Sequence, residues 1–181
     1  MKFHGIVIAF IVTLMALVSF DASSDPSDPS SKDSNSVAIA SEIPFAEGNH
    51  IAGNIKSECN LSGKLSEFIK SYSQDNGISI EQKSAVSAND PGRVLVVEIT
   101  DAVSMGNAFI GHRKYTQISG KLYQDSKMVG SFEGARNSGG GAFAGFKGSC
   151  AVLGRCVKAL GRDVGNWLKS PTMDASLGDM R

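Results

Sequence analysis

Apolar residues recur along this chain with two periods. Near the carboxyl end, Leu153, Val157, Leu160, Val164, Trp167 and Leu168 fall on one helical stripe, with Cys150 on its leading edge. Arg155, Lys158, Arg162, Asp163 and Asn166 lie mostly on the other side. Ser149 reads as the N-cap, and Pro171 cannot continue the helix. Gly154, Gly161 and Gly165 each oppose helix formation by about 1 kcal/mol relative to Ala. Packing must therefore hold this helix, and its glycines would let it lie close to a sheet. A second helix is carried by Leu61, Leu65, Phe68, Ile69 and Tyr72. Asp75-Asn76-Gly77 ends it, with Gly77 as the left-handed residue at its carboxyl end.

Alternation marks the strands. Residues 37–40 and 43–45, around Pro44, read as an edge strand or an extended entry segment. Residues 78–80 form a short strand. Residues 93–103, RVLVVEITDAV, are the strongest strand. Their four successive apolar positions at 94–97 predict a central strand covered on both faces near its start. Residues 105–111 read as a loop. Thr116, Ile118, Gly120 and Leu122 share one face of a strand over 114–124; Asp125-Ser126 turns it, and 128–134 returns as its hairpin partner. Helices and strands are partly segregated. This predicts an α+β fold: a mixed or antiparallel sheet of four to five strands with two helices on one face. Residues 172–181 have no apolar period and read as a flexible tail.

The amino end is different in kind. Lys2 and His4 lead into an uncharged run over 5–20, near the length of a secretory hydrophobic region and short of the roughly 20 residues a spanning helix needs. Residues 1–24 are expected to be a signal peptide, with Ala22, Ser23 and Ser24 near the cleavage point; the competing reading is an uncleaved inner-membrane signal anchor. Residues 25–36, rich in Ser, Asp and Pro, form an expected disordered spacer before a single domain over 37–171. After cleavage no stable membrane span is expected, and the location is periplasmic or secreted. Export places the three cysteines, Cys59, Cys150 and Cys156, in an oxidising compartment. Three single bridges are possible, each leaving one thiol.

Composition narrows the function. The formal charge of zero leaves no basic excess to neutralise phosphates, which argues against a nucleic-acid partner. The 41% hydrophobic content is enough for a core. Gly139, Gly140, Gly141 and Gly148 precede a helix that begins at Ser149, so the loop is a candidate anion site built from backbone N–H groups. The P-loop pattern is not met, because Lys147 is followed by Gly148. The alternative is a flexible connection anchored by Phe143 and Phe146. His50 and His112 have no metal-ligand spacing, and no metal or cofactor is expected. Glu98 and Asp101 are an odd number of residues apart, which predicts opposite faces of their strand. No catalytic constellation emerges, and no enzyme is expected.

Two segments carry a family likeness: IKSECNLSGKLSEFI over 55–69 and GAFAGFKGSCAVLGRCVKALGRDVGNWLKSP over 141–171. With VLVVEITD and the hairpin, they resemble a family of short exported bacterial proteins bearing only a domain-of-unknown-function label. More remotely, the order of elements resembles small α/β modules of envelope lipoproteins that bind other envelope components. The resemblance implies a bridge between Cys59 and Cys150, which match the two motif cysteines, with Cys156 extra. That pair also suits two helices that pack side by side and run the same way, since their amino ends then meet. The resulting expectation is a non-enzymatic exported protein acting by surface interactions, its partner another envelope protein or component. The alternative is a small-ligand or anion-binding module using the glycine-rich loop.

Overall fold

The computed structural model describes residues 35–107, 111–139 and 148–180. They fall within one compact unit, Ser31–Arg181. The expected signal peptide, nearly all of the expected spacer, and Gly140 and Gly141 of the glycine loop lie outside them. The elements in chain order are β1 (Ser36–Ala40), α1 (Gly53–Glu58), α2 (Leu61–Asp75), β2 (Ser79–Lys83), β3 (Arg93–Asn107), β4 (Gly111–Gln124), β5 (Lys127–Gly139), α3 (Ser149–Trp167) and β6 (Ala175–Gly178).

The strands form one mixed six-stranded sheet in the order β2-β1-β3-β4-β5-β6. β3, β4 and β5 are an antiparallel meander. β1 is parallel to β2 and to β3, and β5 is parallel to β6. Parallel neighbours require a crossover. Here α1 and α2 carry the chain from β1 to β2, and α3 carries it from β5 to β6. Two antiparallel steps make β5 run with β3 and β1. Both long helices therefore run back along the sheet in the same direction.

Their contacts agree. Gly161 of α3 lies against Phe68 and Ile69 of α2, and Gly165 lies against Tyr72 and Ser73. At the amino ends, Cys59 and Cys150 are joined in a disulfide with Cα atoms 4.7 Å apart. Gly161 and Gly165 thus admit the neighbouring helix, not the sheet. The expected stripe of α3 is buried throughout, from Leu153 to Leu168. Leu61, Leu65 and Ile69 of α2 meet it over Val37, Ile39, Leu95, Val97, Ile99, Ile118 and Leu122 of the sheet. Ser66, fully buried on α2, donates to the Ala40 carbonyl at 2.7 Å and accepts from Gln82 at 2.9 Å, tying the helix to β1 and β2. Gly77 has φ +75°, and the Gly77 and Ile78 amides return to the Gln74 and Ser73 carbonyls, closing α2 with a Schellman motif.

Several expectations are corrected. The sheet has six strands, and a short helix, α1, precedes α2. β1 lies inside the sheet, because β2 takes the edge. β3 and β4 continue through most of the expected 105–111 loop, to Asn107 and from Gly111. Gly148, not Ser149, is the N-cap of α3. The tail is not without structure: β6 pairs with Phe132–Ala135 of β5, and Leu177 packs against the core. What holds it is a latch rather than a long ladder. Arg136 makes a bidentate pair with Asp163 of α3 at 2.7 and 2.8 Å and reaches Asp179 at 3.2 Å. The Asn137 amide donates to Asp179 at 2.8 Å and holds that carboxyl below the usual range. Val94 and Leu95, on opposite faces of β3, are both fully buried, as a strand covered on both sides at its start requires.

Candidate functional site

α2 and α3 cover one face of the sheet. On the other, β3, β4 and β5 present polar side chains to solvent, a direct result of the alternation along each strand. Ser119 lies between Glu98 of β3 and Glu133 of β5; Lys121 lies between Val96 and Ser131. A register shift between Ile99 and Asp101 changes which residues share this face. It places Asp101 opposite Gln117, two positions from Ser119, so Glu98 and Asp101 lie on the same face. The opposite-face expectation fails because parity along a strand holds only without a bulge. The Tyr115 hydroxyl donates to Asp101.

Beside this row, β4, β5 and the turn into β6 enclose an open cavity of about 340 Å3. Ser119, Lys121, Ser131, Glu133, Asp174 and Ser176 supply its polar groups. Asp174 has φ +52°, a left-handed conformation uncommon for a residue with a side chain. Two bonds to Ser131 hold it there: the Ser131 hydroxyl donates to the carboxylate at 2.9 Å, and the Asp174 amide donates to that hydroxyl at 2.8 Å. The Thr172 carbonyl accepts from the Ser131 amide at 3.0 Å. The second oxygen of Asp174, with Lys121 and Glu133, gives the cavity acceptors and one cationic donor against a hydroxyl-rich floor. Such a set recognises polar, hydroxyl-bearing or mixed-charge groups. None of these residues was a candidate at the sequence level, because the cavity depends on β6.

Of the glycine-loop residues, Gly139 ends β5, Gly148 caps α3 and Ser149 begins it. The Ser149 hydroxyl accepts from Ser104 on β3 at 2.7 Å, so the amino end of α3 is tied to the far end of the central strand. Gly140 and Gly141 lie outside the described residues. His50 is exposed. Cys156 is free and buried, and burial pushes its thiol up from the ordinary value. Among the described residues no group of three His, Cys, Asp or Glu could hold a metal ion. No described helix is long and apolar enough to cross a membrane.

No family model matches this chain, and no curated protein matches it. Solved structures with similar folds include a minor lipoprotein from Acinetobacter baumannii, with a TM-score of 0.44, 10% identity, and coverage of 76% of this chain and 94% of that one. The PelC dodecamer from Paraburkholderia phytofirmans has a TM-score of 0.45 and 11% identity, covering 71% of this chain and 86% of that one. A Xanthomonas campestris protein of family DUF330 has a TM-score of 0.49 and 13% identity, covering 73% and 82%. A lipoprotein and a domain-of-unknown-function protein are the two descriptions that the sequence resemblance named. At these scores neither bears on what this chain does.

Proposed function

We propose that this chain is an exported, non-enzymatic protein of the bacterial envelope that acts by surface contact, with another envelope protein or component as its partner. The observation that carries this reading is the open sheet face, where Lys121 and Glu133 are exposed around a polar cavity while the helices cover the opposite face. The Cys59–Cys150 bridge supports an oxidising compartment. The uncharged run over 5–20 supports export, with residues 1–24 removed and 25–36 acting as a spacer.

The test is a photo-crosslinking amino acid placed singly at Lys121, at Glu133 and, as a control on the helical side, at Arg155 in cells making the full chain. A crosslinked product at the two sheet positions and none at Arg155 is expected. Products at Arg155 alone would transfer the contact to the helices. The amino-terminal sequence of the purified protein reads the cleavage: a start within residues 23–26 is expected, and an intact Met1 in the membrane fraction would favour the anchor.

A second reading uses Gly139, Gly140, Gly141, Gly148 and Ser149 as a small-ligand or anion site at the amino end of α3. It rests on the position of Gly148 as N-cap with no side-chain cap, since the first N–H groups of a helix lack intrahelical partners. Phosphate-induced shifts of the Gly148 and Ser149 amides would support it.

A further inference from the structure

At the end of the sheet where β1, β2 and β3 begin, the carboxyl ends of α2 and α3 close over a second cavity of about 320 Å3. Its charged lining is Arg93, at the start of β3, and Lys169, just past α3. Among the described residues neither cation forms an ion pair, unlike Lys83 with Glu81 or Arg136 with Asp163 and Asp179. No described acidic side chain lines the cavity.

Helix carboxyl ends ordinarily repel anions through unpaired carbonyls. Here several of those carbonyls are engaged. The Gly77 and Ile78 amides take the Gln74 and Ser73 carbonyls of α2. The Asn76 side-chain amide donates to the Gly165 carbonyl of α3 at 3.0 Å and to Asn166 at 3.2 Å. The Leu168 and Lys169 amides take the Val164 and Asn166 carbonyls. The charged side chains that line the cavity are then its two cations. Asn35, Asn76 and Pro171, with the nearly buried Ile78 and Leu168, complete a mostly polar lining.

The geometry points to a binding site for a small oxyanion, a phosphate or carboxylate group. The planar guanidinium of Arg93 takes two oxygens of the anion as a fork, and Lys169 supplies a point charge. This site stands at the opposite end of α3 from Gly148 and Ser149 and apart from the open face.

The test is an amide-shift titration of the full chain at constant ionic strength with phenyl phosphate, benzoate, inorganic phosphate and neutral benzyl alcohol. Saturable shifts at Asn76, Ile78 and Lys169 are expected with phenyl phosphate or benzoate. Saturable shifts are expected with inorganic phosphate too, and none with benzyl alcohol. R93Q and K169Q should each weaken binding about tenfold or more, as loss of a charge-assisted bond implies. Both changes lie at solvent-accessible positions, so the thermal melt should be unchanged. The proposal is overturned if no probe saturates, if benzyl alcohol binds as well as the anions, or if both variants bind like the wild type. Shifts confined to Gly148 and Ser149 would also overturn it and support the glycine-loop reading.

Discussion

An alanine at Gly161 would set its Cβ 2.5 Å from the Phe68 Cβ and 2.9 Å from that residue's backbone carbon, so α2 would have to move. We expect Gly161→Ala to cost about 1–3 kcal/mol, the usual range for overpacking, measured by urea unfolding. At Gly154 nothing lies within 4 Å of the same atom, and Gly154→Ala should add up to about 1 kcal/mol through helix propensity alone. The sequence assigns the same local penalty to both positions; what separates them is a partner helix some ninety residues away. Asp179 makes a prediction in pH. Its folded value is depressed, first by the Asn137 amide, so its contribution is complete above the ordinary aspartate value of about 3.9 and is lost as pH falls through the depressed value. Asp179→Asn should therefore lower the melting temperature at neutral pH, and its gap to wild type should close on acidification below about pH 4. A gap that persists undiminished well below that would show that the carboxylate charge contributes nothing.

At the level of elements, the helical stripes, the closing Gly77 and the core face of β4 were legible because each is a local period of apolar side chains. The interior place of β1 was not, because five residues cannot reveal that both of their edges are paired. Nor was β6. A four-residue strand contributes little period of its own, and its anchors, Arg136 and Asp163, read as ordinary surface charges until the fold joins them. The open-face cavity was illegible for the same reason, since Asp174 reaches Ser131 only through β6. The charge pair at 98 and 101 was misread because a bulge leaves no local signature in RVLVVEITDAV. A chain ending at Thr172 loses β6, uncovers the outer edge of Phe132–Ala135 and leaves Arg136 without Asp179. It should unfold at lower urea concentration and self-associate, as read by light scattering; a monomer of unchanged midpoint would mean that β6 is dispensable.

At the scale of the molecule, one covalent bond joins the two crossover units at the amino ends of their helices. In the chain-entropy view, a closed loop with a sequence separation of 91 contributes roughly 4–5 kcal/mol, a sizeable share of a domain's net stability. Replacing Cys59 and Cys150 together by Ser should lower stability by about 2–5 kcal/mol. Cys156 should resist alkylation until the protein is unfolded, since it is buried and its thiol is pushed up. The order of these cysteines also bears on how the molecule is made. A chain emerges amino end first, so Cys59 appears alone and waits through most of a domain before Cys150 arrives, with Cys156 behind it. An oxidase that joins thiols in order of emergence makes the native pair at the first opportunity, with no later exchange of partners. With the proposed export, disulfide formation in cells should depend on a disulfide donor and be unchanged by loss of a disulfide isomerase, as read by non-reducing gel mobility.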